Sequence, residues 1–193
     1  KTDSAGTKLW NKTYVGLGID IAHSVIQTDD GGYAIGGETG SWSEERDMWL
    51  VKTNATGNMQ WQKTYGLAGS ICEFSTSLIH TCDGGYALAG WTENPVGAEN
   101  ADFYLVKTDV EGNMTWDKTY GGAGQDNAWS AIQTSDGGYM LAGGSYSFGA
   151  GSSDVWLVKT NSTGNAEWNQ TYGGEGTDWA YSVVESSDGG YAI

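Results

Sequence analysis

Three sets of acidic residues recur along this chain at matching places: Asp30, Asp83, Asp136 and Asp188; Asp47, Asp102 and Asp154; and Asp20, Glu73, Asp126 and Asp178. Gathered carboxylates bind Ca²⁺ through oxygen ligands. The third set is the calcium candidate, because each member stands at the entrance to the first strand of a repeated unit, where the set could converge near a common axis. The competing role is local: short carboxylates accept backbone N–H bonds in turns. No Asp-x-Asp-x-Asp-Gly loop is present, so no strong calcium signature accompanies the set, and no other cofactor is implied.

Aromatic residues supply a second kind of chemistry. Trp42, Trp91, Tyr146 and Phe148 fall in or beside segments that differ from unit to unit, Glu38 to Arg46, Trp91 to Ala101 and Gly144 to Ser153, among Asp, Glu, Asn and Ser. Rings in such loops could stack on sugars, because a rigid scaffold presents its loops for binding; the alternative is that they cover a sheet edge. Trp10, Trp61, Trp116 and Trp168 are each followed four residues on by Tyr, and this periodicity marks them as packing residues between units. The periodic lysines (Lys1, Lys52, Lys107 and Lys159; Lys12, Lys63 and Lys118) are expected to pack their stems on tryptophans and pair with the Asp columns. His23 and His80 occupy different columns and form no metal set, and no Ser-His-Asp arrangement stands out. Cys72 and Cys82 flank one strand, which would hold them beyond disulfide reach unless the preceding connection folds back. Sequons at Asn11, Asn54, Asn113, Asn161 and Asn169 are N-glycosylation candidates in an exported protein.

The elements that must position these groups follow from a repeat of about 53 residues, marked by Asp30-Gly31-Gly32-Tyr33 and its three successors and by Leu-Val-Lys-Thr at 50, 105 and 157. Within a unit, Ser24 to Thr28 and Tyr33 to Gly37 flank an Asp-Gly turn, and Asp47 to Thr53 and Asn58 to Tyr65 flank Asn54-Ala55-Thr56-Gly57. Four strands per unit, each sheet too small to bury both faces alone, predict an all-β chain of radially stacked sheets: a β-propeller with four-stranded antiparallel blades. The units run approximately 15–65, 66–120 and 121–172, with partial units at 1–14 and 173–193, in one domain spanning 1–193. The ends read as a window cut from a longer array or from a ring, and two chains could self-associate to close such a ring.

The segments Asn113-Met114-Thr115-Trp116-Asp117-Lys118-Thr119-Tyr120-Gly121-Gly122-Ala123-Gly124-Gln125-Asp126, Ser135-Asp136-Gly137-Gly138-Tyr139-Met140-Leu141-Ala142-Gly143 and Asp154-Val155-Trp156-Leu157-Val158-Lys159 resemble the SBBP-type β-propeller repeat of bacterial and archaeal secreted and cell-surface proteins. The resemblance covers essentially the whole chain. It implies an extracellular propeller with a structural or adhesive use, and it brings no catalytic motif.

Composition narrows the partners. A formal charge of −15 with nine basic residues repels nucleic acid and anionic lipid. No stretch approaches the roughly 20 apolar residues of a membrane span, so no direct membrane insertion is expected from this segment. The leading expectation is a non-catalytic structural or interaction module of a surface-layer, sheath or adhesin-type protein, with other surface proteins or glycans as partners. A carbohydrate-binding module using the loop aromatics is the alternative. A polysaccharide-degrading enzyme ranks last, because no unique carboxylate pair breaks the repeat near the axis.

Overall fold

The computed structural model describes residues 1–16, 18–40, 46–68, 70–93 and 100–193. Its regular structure is all β. The first full unit holds β1 (Ile19–Gln27), β2 (Tyr33–Gly40), β3 (Arg46–Thr53) and β4 (Met59–Tyr65). The second holds β5 (Cys72–His80), β6 (Tyr86–Glu93), β7 (Ala101–Thr108) and β8 (Met114–Tyr120). The third holds β9 (Asp126–Gln133), β10 (Tyr139–Ser145), β11 (Asp154–Thr160) and β12 (Ala166–Tyr172), and β13 (Val184–Glu185) and β14 (Tyr191–Ala192) follow. Within each unit the strands pair antiparallel in chain order. Neighbouring units touch through one parallel bridge at equivalent places: Arg46 with Cys72, Ala101 with Gln125 and Ser153 with Thr177. The first of these joins the first two units into one formal sheet.

The first hairpin turn explains the Asp-Gly-Gly-Tyr signature. Asp83 Oδ1 accepts from the Thr81 hydroxyl and from Gly85 N (3.1 Å), while Gly84 takes φ 83°. Gly85 must lack a side chain for a different reason: a Cβ there would lie 2.2 Å from the Thr108 carbonyl oxygen. The buried ammonium of Lys107 completes the arrangement, donating to both Asp83 oxygens (3.0 and 2.8 Å) and to Thr108 O (2.7 Å). Lys52 with Asp30 and Lys159 with Asp136 repeat it. A bulge between β3 and β4 aims Gln60 at Lys52, and one between β11 and β12 aims Glu167 at Lys159. Burial works to raise the Asp83 pKa, but the bonds from Lys107, Thr81 and Gly85 outweigh it and bring it down to about 2. The expected pairing with periodic Asp is therefore present for Lys52, Lys107 and Lys159, whereas Lys12 and Lys63 donate instead to Oδ1 of Asn58 and Asn113 (3.0 and 3.4 Å).

Units are joined by their fourth strands. Trp10, Trp61, Trp116 and Trp168 each meet the tyrosine of the next Asp-Gly-Gly-Tyr turn, with ring centroids 5.8–6.0 Å apart. Four residues on, Tyr14, Tyr65 and Tyr120 donate their hydroxyls to Gly57 O, Gly112 O and Gly164 O in the second turn of the next unit (2.7–2.8 Å). Between the two contacts, Gly112 takes φ 77°, and a Cβ on it would lie 2.7 Å from the Trp61 ring. Apolar cores fill each interface: Met48 and Leu50 meet Leu78 and Leu88 in one, and Phe103 and Leu105 meet Ala131 and Leu141 in the next.

Two predictions follow from these contacts. Gly112→Ala should destabilise the chain by about 1–3 kcal/mol through overpacking and backbone strain, and Tyr65→Phe by about 1 kcal/mol through the lost hydrogen bond, both read from urea midpoints. An unchanged midpoint in both variants would remove the clamp from the fold's energetics. Because Asp83 has a lower pKa folded than its ordinary 3.8, its stabilisation is complete above that value and is lost as pH falls through about 2. Asp83→Asn should make the acid limb of the stability profile shallower, and an identical limb would contradict the assignment.

Candidate functional site

Most columns of the scaffold repeat from unit to unit, but three adjoining columns do not. Ile21, Phe74, Asn127 and Trp179 follow the acid at the entrance of each first strand. Their cross-strand partners are Glu38 for Ile21, Trp91 for Phe74 and Gly144 for Asn127. Two residues further along, His23, Thr76 and Trp129 each occupy a β-bulge, and Tyr181 stands at the equivalent place. A bulge takes its extra residue out of the ladder and re-aims its side chain. Side chains without a repeated packing duty are thereby collected on one region of the surface.

There they form a continuous run of rings. Phe74 stacks on Trp91 (4.9 Å, 22°), Trp91 meets Trp129 (4.9 Å, 55°) and Trp129 stacks on Trp179 (5.9 Å, 25°). Tyr181 touches both Trp129 and Trp179, and Tyr146 stands edge-on to Trp179 at 6.5 Å. Trp179 rests over Gly144, where a Cβ would lie 2.8 Å from its ring, and donates Nε1 to Ser153 Oγ at 2.7 Å. The tryptophans are half-buried, whereas Tyr181 and Tyr146 are 65% and 46% exposed. Trp129 Nε1 is buried with no acceptor among the described residues.

The run ends on a polar cluster. The Arg46 guanidinium lies 5.9 Å from the Phe74 ring centroid and donates to Glu38 Oε1 at 2.9 Å. His23 Nε2 is 3.4 Å from Glu38 Oε2, and Glu38 itself is only 2% exposed. The cluster offers a guanidinium, an imidazole and a carboxylate oxygen without a hydrogen-bond donor among the described residues, beside an aromatic floor.

Of the aromatics expected to bind, Trp91 and Tyr146 belong to this run. Trp91 lies on β6 and not in a loop, because strand pairing continues to Glu93 opposite Ala101. Glu38 and Gly144 are likewise strand residues, and the intervening connections are shorter than the sequence suggested. Phe148 stands apart, packed on Trp156 at 5.0 Å. Trp42 lies outside the described residues. Phe74, Trp129, Trp179 and Tyr181 were not singled out as binding residues. Their signal was the irregularity of their columns, in a chain where almost everything else repeats.

The acidic column does not converge on one point. Asp20, Glu73, Asp126 and Asp178 each serve the connection ahead of their own strand, accepting from the backbone N–H of Gly16, Leu67, Gly122 and Gly174 at 2.8–3.2 Å. Among the described residues, no three or more His, Cys, Asp or Glu are grouped to hold a metal. Glu73 also accepts from Ser70 and Thr92. Burial pushes its pKa up to about 7, against the bonds from Leu67 and Thr92 and with a small addition from nearby Asp47.

The sequon asparagines sit at the surface or partly covered. Asn54 and Asn161 use Oδ1 to close their turns, accepting from Thr56 N and Asn58 N and from Thr163 N and Asn165 N at 2.9–3.0 Å. Asn169 accepts from Trp156 Nε1, Asn113 donates to Asp109, and Asn11 is exposed. Cys72 and Cys82, at opposite ends of β5, are not joined in a disulfide. His80 stands 3.8 Å from Asp29 and takes no part in the cluster around Glu38.

No family model matches the chain, and no curated protein matches it.

Because Glu73 holds its proton more tightly folded than at its ordinary 4.5, stability should decline as pH rises from about 4.5 and level off above about 7. Glu73→Gln should make that decline shallower in urea midpoints measured from pH 5 to 8. A wild-type profile that rises across this window would place Glu73 among ionised carboxylates instead.

Proposed function

We propose that this chain is a non-catalytic carbohydrate-binding interaction module of β-propeller type, working at the outer surface of a prokaryotic cell. The observation that carries the reading is the run from Phe74 through Trp91 and Trp129 to Trp179 and Tyr181, ending on Arg46, Glu38 and His23. Sugar rings present apolar C–H faces and equatorial hydroxyls. Half-buried tryptophans and exposed tyrosines offer matching apolar area at little entropic cost, and a paired carboxylate and guanidinium fix orientation. The length of the run favours an oligosaccharide chain over a monosaccharide.

The propeller reading draws on three successive antiparallel four-stranded units joined by equivalent parallel bridges and by the same tyrosine-to-glycine contact. The SBBP-type resemblance of the repeat agrees with it and implies a surface location. The −15 charge suits a hydrated, exposed array and disfavours anionic polymers as ligands, so neutral or cationic glycans are the expected class.

A glycan array followed by calorimetry tests the reading. We expect binding to a neutral oligosaccharide that falls at least about tenfold in Trp129→Ala and in Tyr181→Ala, a loss of about 1.4 kcal/mol or more. Tyr172→Ala, exposed and outside the run, should bind like the wild type. Absence of binding across the array at millimolar concentration would leave the structural role without the sugar.

A further inference from the structure

A second site emerges where the second and third units meet. The bridge between Ala101 and Gln125 sets the start of β7 against the start of β9, and the residues flanking it are Asn100 and Asp102 on one side and Asp126 on the other. Asp126 is 0% exposed. Its Oδ2 accepts from Gly122 N (2.8 Å) and the Ser147 hydroxyl (2.7 Å), whereas its Oδ1 is buried with no donor among the described residues. Asp102 Oδ1 and Asn100 Oδ1 are also buried with no donor among the described residues. Burial, with the charge of Asp126 adding to it, raises the Asp102 pKa, as expected for two carboxylates that face each other. Gly121 keeps the space beside them open, since a Cβ there would lie 1.8 Å from Asp102 Oδ1.

We propose that Asn100, Asp102 and Asp126 form a Ca²⁺ site at this junction. Three buried oxygen acceptors flanking one bridge, with no N–H or O–H among the described residues to satisfy them, ask for a hard cation. Ca²⁺ accepts mixed carboxylate, amide and water oxygens in irregular geometry, whereas Mg²⁺ demands a near-octahedral shell and gives up water reluctantly. One divalent ion would also neutralise the two carboxylates. The equivalent junctions satisfy their acids differently. Asp154 Oδ2 receives the N–H groups of Ala150 and Gly151 at 2.9 and 3.0 Å, and Glu73 Oε1 receives Leu67, Ser70 and Thr92. The site is thus specific to one interface and is not a property of the whole acidic column.

Calorimetric titration of this chain with CaCl₂ and with MgCl₂ at pH 7.5, alongside thermal unfolding in each salt, tests the proposal. We expect one saturable Ca²⁺ site with Kd of about 10⁻⁴–10⁻³ M, weaker response to Mg²⁺, and a melting temperature that rises with Ca²⁺. Asp102→Asn and Asp126→Asn should each weaken Ca²⁺ binding at least about tenfold, an effect of a lost charged ligand. Asp109→Asn, in an exposed turn, should leave it unchanged. No saturable heat up to about 10 mM Ca²⁺, or full binding retained in both site variants, would overturn the proposal. So would a melting temperature indifferent to Ca²⁺ but dependent on pH in a way that both variants abolish, because the two carboxylates would then share a proton. If the variants fail to fold, the wild-type titration decides alone.

Discussion

A tyrosine hydroxyl donating to a glycine carbonyl of the next unit sets the spacing on which the rest of this molecule depends. Each sheet is too small to bury its own faces, so the chain gains stability only where one sheet lies on another. A hydrophobic interface alone is non-directional and tolerates sliding. The hydroxyl bond, with the tryptophan four residues earlier lying against the glycine, removes that freedom at the fourth strand. At the opposite end of the unit, Ser77 Oγ donates to Ala131 O and accepts from Ala131 N, and Thr76 Oγ1 donates to Ala128 O, so the first strands are fixed as well.

With the tyrosine bond repeated at successive interfaces and the first strands also bonded where the second and third units meet, the strand entrances come to equivalent places, and what occupies them decides the local chemistry. At one junction donors surround the acid, as around Glu73. At the next, Oδ1 of Asp102 and Oδ1 of Asp126 have none among the described residues. The aromatic run crosses the same region because bulges at His23, Thr76 and Trp129 release those side chains from strand alternation. Rigidity and variability are separated by only two or three residues along the strand. A scaffold of this kind can hold half-buried rings in fixed relation without ordering them when a ligand arrives, which preserves binding free energy.

The period, the strand count and the turn chemistry were legible in the sequence because their residues answer strict local demands. Asp-Gly-Gly-Tyr needs a side-chain acceptor, a positive φ and a close backbone approach in succession, and few other sequences meet all three. The roles of Trp61 and Lys107 were legible for the same reason. The site was only partly so. Trp91 looked like a loop residue because Glu, Asn and Pro follow it, yet its backbone is paired with Phe74 and Phe103. Trp129 sits on a bulge, where the two-residue alternation that assigns faces breaks down. The pairing of Asp102 with Asp126 depends on a parallel bridge between units, a contact that no single unit's pattern contains. Interfaces between repeats therefore carried most of what a reading of one repeat could not supply.

Each lock reaches only to the adjacent unit, and every unit carries both halves: the Trp–Tyr pair on its last strand and the glycine turn that receives the preceding pair. A tandem duplication in the gene that copies one period would thus insert a piece whose two ends already fit its new neighbours, while a duplication out of phase would leave a glycine turn facing the wrong strand. A chain built on this repeat can change length in whole periods, and its irregular columns can vary without disturbing the joints.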